Sequence, residues 1–428
     1  MLIATCVPGK RVVAVTVLLF ILAFALRVSL VVALPADYRL LPPREMERVA
    51  KSWADTGSLA NPYATPTGPT AHVAPVYPVL LGTIYRVYGT GSKERFAQSI
   101  FSCVLCALRS ALVLPLALVL GLTWRRAVLA AGLNVPYISA FNTELHGTWE
   151  APLATLLLIA LVWIASRFSQ RPSFALKDAV LLGLVLGAIL LACPAFLPMV
   201  ALFVLAAACL PMPSRKSLTL WLAVLVMCAG IVLAPWTLRN LRVLGSPVIF
   251  RSNFGLELSL AYNDSGYTSA LDEHILDLHP AVNPEMSRQV AILGEVEFNK
   301  RREQETLRWI RAHPGRFARL SAIHILNFWF PPAEIKMLRI AFDALTILAW
   351  LGWLVLYFEN RNSGLLLGIV WIAFPLIYYS TYWSSRYRYP MDWTLLLAAG
   401  VLLDFLYSRF LRSAHPGFAT AAVQQVKN

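Results

Sequence analysis

Charge is what this sequence has least of. Asp, Glu, Lys and Arg make up 14% of its 428 residues, against 58% hydrophobic ones, and the mean hydropathy is +0.62. Soluble domains carry about 25% charged residues, so a water-exposed globule is excluded. There is no P-loop and no Gly-x-Gly-x-x-Gly stretch, which excludes the usual nucleotide-handling domains. The seven histidines are scattered without paired ligand spacing, so no metal motif is visible. Six cysteines lie in or beside apolar runs, and the large polar loops hold none, which excludes a disulfide framework. Cys103 and Cys106 have CxxC spacing, but inside an apolar run they read as buried small residues.

What is present is a succession of apolar runs. A helix needs about 20 residues to cross a hydrocarbon core of about 30 Å. About ten spans are expected: Val12–Leu34, Ser99–Leu122, Ala127–Phe141, Ala151–Ala165, Ala179–Cys193, Phe196–Leu210, Leu218–Pro235, Met337–Phe358, Leu365–Tyr379 and Trp393–Leu406. The first is long for a signal peptide, carries Arg27 inside and lacks a clear cleavage site, so it reads as a retained anchor. The expected fold is an all-α, polytopic membrane protein, divided into an N-terminal membrane module (1–235), a membrane-associated helical region (236–336) and C-terminal spans with a tail (337–428).

Orientation follows from the basic residues. With the N-terminus cytoplasmic, Lys10, Arg11, Arg125, Arg126, Arg171, Lys177, Arg215, Lys216, Arg361 and Arg412 share the cytoplasmic side. The loops 35–98 and 236–336 then face outward. The net charge of +14 needs no nucleic acid; loop anchoring and an anionic lipid partner account for it.

The first outer loop is unusually informative. Met46, Val49, Ala50 and Trp53 recur at i, i+3, i+4 and i+7, which predicts a short amphipathic helix lying on the membrane. Glu47 and Lys51 form an i,i+4 pair on its wet side, and Glu45 lies on another flank near the bilayer. Asn61-Pro62, Thr65-Pro66 and Gly68-Pro69 predict turns and extended chain; His72 follows in that strip as a candidate substrate-binding residue. In the second loop, Asn283-Pro284 reads as an N-cap followed by proline at the first helical position. His313-Pro314 and Pro331-Pro332 punctuate the helices beyond it. Asp264, Asp272, Glu273 and Asp277 scatter there without a cation-binding pattern.

"EMERVA" with "TGPTAHVAPVYPVLL", "TWEAPL", "APWTLRNLRVLGSPVIFRSNFGLEL", "HPAVNPE", "GEVEFNKR" and "RYRYP", in that order, resemble bacterial GT-C membrane glycosyltransferases. That superfamily includes the protein O-mannosyltransferases and the aminoarabinose transferase of lipid A. The resemblance implies transfer of a sugar from a polyprenyl-phosphate carrier to a lipid, glycan or protein acceptor, on the outer face of the bacterial cytoplasmic membrane. It implies Glu45 as general base, with Asp37, nearer the end of the first span, as the alternative. Glu150 is a second acid at the mouth of the fourth span, where an ionisable group is costly without a function; Glu144 and His146 share its loop. Arg386 and Arg388 suit the leaving phosphate, since arginine's fork grips phosphate oxygens, and Arg239 is a phosphate or loop-fixing candidate. No cofactor is implied by these residues, although a divalent metal is compatible with the chemistry. His279, Glu285 and Glu295 read as loop-fixing. A lipid-linked glycan transporter is the competing class, but it should show internal repeats, and none is evident.

Overall fold

The computed structural model describes residues 9–33, 43–89, 92–169, 175–208 and 214–414. Asp37, Arg171, Cys6 and Cys209 lie outside the described residues. The chain opens with α1 (Gly9–Ala33), makes a first excursion through α2 (Glu45–Thr56) and α3 (Val76–Tyr88), and returns in α4 (Ser92–Val119). Then come α5 (Trp124–Asn134), α6 (Phe141–His146), α7 (Ala151–Ser169), α8 (Leu176–Ala192), α9 (Leu197–Ala208) and α10 (Arg215–Leu244). A second excursion holds α11 (Phe254–Ala261), α12 (Pro284–Leu293), α13 (Glu295–Ala312) and α14 (Pro314–Trp329). The last elements are α15 (Lys336–Glu359), α16 (Arg361–Ala373), α17 (Ser385–Arg388) and α18 (Asp392–Ala414). Among the described residues extended pairing is confined to two isolated bridges, Ala60 with Pro69 and Ser269 with Trp383.

Among the described residues, seven stretches are long and apolar enough to cross a membrane. They are α1, α4, α7, α10, α15, Arg361–Ser380 and Ser385–Phe410, the last two including short 3₁₀ turns. Three expected spans are shorter: α5 has 11 residues, α8 has 17 and α9 has 12. Pro136 and Pro194 lack the N–H a helix interior requires, so the apolar runs around them break into pieces. Pro235, by contrast, sits within α10, which runs on to Leu244.

Small residues let the helices close. A Cβ on Gly183 would lie 2.3 Å from the Leu225 carbonyl oxygen, and one on Gly187 would lie 2.8 Å from that of Ala229. The two glycines, four apart on α8, thus allow backbone contact with α10, as small-xxx-small pairs do in bilayers.

The bundle has two unlike ends. At one, Arg11 stacks over Trp124 at 4.9 Å, Arg125 and Arg126 reach Asp404 at 2.9 and 3.0 Å, and Arg126 also pairs with Glu359. These are residues that the distribution of positive charge assigns to a single face. The loop excursions pack at the other end. There α2 does not float on a membrane surface: Met46, Val49 and Ala50 are wholly buried in a cluster with Val73, Tyr77, Leu81 and Tyr85. Glu47 is buried with them rather than paired outward to Lys51. It accepts from the Arg44 N–H at 2.8 Å and from Gln98 Nε2 at 3.1 Å, and burial raises its carboxyl above the usual range.

Candidate active site

The proline-rich strip is held open from several directions. Asn61 Oδ1 accepts from the N–H groups of Thr67 and Gly68 at 3.1 and 2.9 Å. The chain folds back so that Thr70 N–H donates to the Leu59 carbonyl at 3.0 Å. Arg239 donates to the carbonyls of Leu59 and Thr70 at 2.6 and 2.7 Å. Its guanidinium thus holds this turn.

Glu295, the first residue of α13, clamps the next residues. Its carboxylate accepts from Thr70 Oγ1, from the Ala71 N–H at 2.7 Å and from Ser252 Oγ at 2.6 Å. Burial raises the Glu295 carboxyl, and these three donors oppose that rise. His72 is thereby presented from a strip pinned on both sides, since its carbonyl also accepts from Arg251 Nε at 2.9 Å.

Three buried residues meet at this point. Glu45, His72 and His279 each offer one ligand-capable atom, all within 4.8 Å of one another. Glu45 Oε1 lies 3.7 Å from His279 Nδ1, and the two imidazole rings stand edge to face with centroids 6.1 Å apart. Outer partners orient both rings: the Tyr63 hydroxyl lies 3.1 Å from His72 Nδ1, and the Ala281 N–H donates to His279 Nδ1 at 3.0 Å. Burial, with Arg251, His279 and Arg386 nearby, holds His72 well below the ordinary histidine range. It is therefore a neutral imidazole, the form that binds metal. One carboxylate and two imidazoles are the donor set of a zinc-like divalent cation with an open coordination position, so the residues present fit such an ion. Sequence spacing carried no hint of this because the ligands come from α2, the strip after it and the loop before α12.

Beside this cluster lies a cavity of about 260 Å³. Arg251 joins the two, because it bonds the His72 backbone and reaches Glu150 Oε1 through Nη1 at 3.6 Å. Arg251, Arg386, Glu150, Glu257 and Trp149 line the cavity. Arg386 lies over the Trp149 ring at 3.5 Å and donates to Tyr387 Oη at 3.1 Å. Arg251 is the residue that reading the sequence missed; it stands inside one of the quoted patches, but nothing in its spacing distinguished it from neighbouring basic residues.

Two other candidates stand elsewhere. Arg388 is buried and bonds Asp392 at 2.9 Å and the Trp329 carbonyl at 3.0 Å, so it ties α14 to α18 instead of facing the cavity. Glu144 is fully buried between Arg27 at 2.8 Å and Arg109 at 3.5 Å. Both arginines also donate to the Tyr137 carbonyl, at 3.0 and 2.9 Å. That trio locks the loop before Trp149 and Glu150 to α1 and α4, and excludes Glu144 as a substitute acid in the cavity. Asp37 lies outside the described residues.

The helical bundle gathers its loop excursions, and the cavity that Arg251, Arg386, Glu150 and Glu257 help to line, at one end. Its fold is shared with solved structures of the Archaeoglobus fulgidus oligosaccharyltransferase. The apo form superposes with a TM-score of 0.55 at 15% identity, covering 95% of this chain and 52% of that one. AglB from the same organism, in complex with an inhibitory peptide and a dolichol-phosphate, gives 0.53 at 14% identity over 94% and 51%. A complex with zinc and sulfate gives 0.53 at 16% identity over 95% and 51%. The chain thus spans about half the length of those proteins. No family model matches the sequence, and no curated protein matches it.

Proposed function

We propose that this protein is a membrane glycosyltransferase that moves a sugar from a polyprenyl-phosphate-linked donor to a lipid, glycan or protein acceptor. The reaction is placed on the outer face of the cytoplasmic membrane. The carrying observation is the junction at Arg251 of the Glu45/His72/His279 cluster with a cavity lined by Arg386 and Glu150. The shared fold with proteins solved with dolichol-phosphate, and separately with zinc and sulfate, supports the same reading.

In this mechanism Arg251 and Arg386 hold the donor phosphate in the cavity. An acceptor hydroxyl attacks the anomeric carbon, its proton passes to Glu150, and the anomeric C–O bond to phosphate breaks with the electron pair staying on the phosphate oxygen. Polyprenyl phosphate is the leaving group. Glu150 is preferred as base because it opens on the cavity beside the arginines, whereas Glu45 faces the two imidazoles. A divalent cation held by Glu45, His72 and His279 would neutralise charge developing on the phosphate. Trp149 supplies an apolar face that keeps Arg386 extended and partly shields the reacting centre from water.

Mass spectrometry of lipids and glycans from cells with and without the gene tests this. Loss of the protein should accumulate a polyprenyl-phosphate sugar and remove one sugar from a surface product. An unchanged carrier pool with a complete glycan stranded on the inner leaflet would replace the transferase with a transporter.

A further inference from the structure

The bundle carries a second cavity at the basic end, remote from the candidate active site. It measures about 540 Å³ and lies between the C-terminal end of α4, α7, α9 and the start of α16. Its walls are apolar, among them Leu161, Val162, Met199, Leu202, Leu366 and Val370. Leu365 and Ile369 of α16 also line it and are 45% and 42% exposed, so the space meets the surface that faces hydrocarbon. An open apolar slot on a spanning face fills with lipid rather than water, because water there would find few polar partners.

The rim is polar and its flanks are positive. Asn360, Asn362 and Ser363 edge the cavity. Asn360 Nδ2 and Ser363 Oγ both donate to the Leu120 carbonyl, at 3.0 and 2.6 Å, which fixes the rim in place. Arg361 sits between the two lining asparagines, and Arg167 follows the lining Ser166 on α7; both are exposed. Glu359, next in sequence to the lining Asn360, is engaged by Arg126. An apolar slot with two exposed arginines next in sequence to its rim residues matches one occupant, an anionic glycerophospholipid with an acyl chain in the slot and its phosphate at the rim.

We propose that this cavity is a binding site for an anionic phospholipid of the leaflet on the basic side, wedged between α7, α9 and α16. By the distribution of positive charge that leaflet is the cytoplasmic one, where anionic headgroups attract such residues. The site does not depend on the chemistry at the opposite end of the bundle. It would fasten α16 to α7 and α9 at the end away from the candidate active site.

The test uses the full chain in detergent, mixed with equal amounts of phosphatidylglycerol and phosphatidylcholine bearing the same acyl chains, and read by native mass spectrometry. The wild type should retain one lipid, with phosphatidylglycerol favoured about tenfold or more, the scale expected of two cations at a headgroup. Ala165→Trp or Ala206→Phe, which fill the cavity from different helices, should lose the retained lipid. The pair Arg167→Gln and Arg361→Gln should keep a lipid but bring the preference towards one. Equal retention of both lipids by the wild type overturns the proposal, as does unchanged retention in filled variants that unfold at the wild-type temperature. Should both filled variants misfold, phosphatidylglycerol carrying a photoreactive acyl chain decides on the wild type. Labelling within residues 161–168 or 360–370 supports the site, and labelling confined to other helices overturns it.

Discussion

Arg251 donates through Nε to the carbonyl of His72 at 2.9 Å, and its Nη1 reaches Glu150 at 3.6 Å. One guanidinium thus fixes a residue of the buried cluster while leaving a cationic face on the cavity. Lysine cannot do both, because its ammonium is a single point without a planar fork. Arg251→Lys and Arg251→Gln are expected to lower kcat/KM for transfer from a synthetic polyprenyl-phosphate sugar by about a hundredfold or more, the scale of losing one preorganised charge donor. Retention of more than half the activity by Arg251→Lys would reduce its role to general positive charge.

Glu45 and Glu150 are separable by what restores them. Glu45→Gln and His279→Ala should weaken divalent-cation binding by tenfold or more, read by titration calorimetry on chelator-treated protein, and added zinc or manganese should recover part of their activity. Glu150→Gln should bind the ion as the wild type does and lose activity that no metal restores. Equal metal affinity in all three variants would remove the cation from the cluster.

The loop that presents Trp149 and Glu150 rests on one buried carboxylate between two buried guanidiniums. Glu144→Gln strands Arg27 and Arg109 without their counter-ion, a loss of about 3–5 kcal/mol for a broken buried pair. A fall of several degrees in the detergent unfolding temperature is expected. Adding Arg27→Met should restore part of it, since the stranded charge is then removed. If Glu144→Gln unfolds at the wild-type temperature, water or lipid headgroups must already compensate the arginines.

The helical bundle was legible because hydrocarbon thickness sets run length, and the seven long spans sit where the apolar runs sit. The Asn283 cap was legible too: its Oδ1 accepts from the N–H groups of Glu285 and Met286, with Pro284 at the first helical position. What escaped is tertiary. Nothing local to Glu47 distinguishes a solvent pair with Lys51 from burial against Gln98, and nothing local to Arg388 distinguishes a phosphate ligand from a partner for Asp392. His72 and His279 become neighbours because contacts such as those of Glu295, Arg251 and Arg239 hold the first loop against the second.

The acidity of Glu47 offers a pH test. Its carboxyl is raised above the ordinary value of 4.5, mainly by burial, against the Arg44 and Gln98 hydrogen bonds. The fold therefore favours its protonated form. That contribution is fully present below the ordinary value and is lost as pH rises through the raised one. Glu47→Gln keeps an uncharged group in place, so its unfolding temperature should gain on the wild type as pH rises above the ordinary carboxyl value of 4.5. A difference that stays constant as pH rises would mean that folding does not shift the Glu47 carboxyl.

Glu295 touches neither the cavity nor a candidate metal ligand, yet it bonds Thr70, Ala71 and Ser252 together. Thr70 Oγ1 in turn accepts from the His72 N–H at 2.9 Å, so losing the carboxylate frees the backbone on which His72 is carried. Glu295→Ala should reduce divalent-cation affinity by about tenfold and kcat with it, as loss of an outer orienting partner does. Glu295→Gln should recover part of both, because its amide oxygen can still accept from one or two of the three donors. A purely structural role would instead lower the unfolding temperature of both variants and leave cation affinity in the folded fraction unchanged. The ratio of affinity loss to stability loss, compared with Glu144→Gln, therefore distinguishes a residue that positions the cluster from one that only holds the bundle.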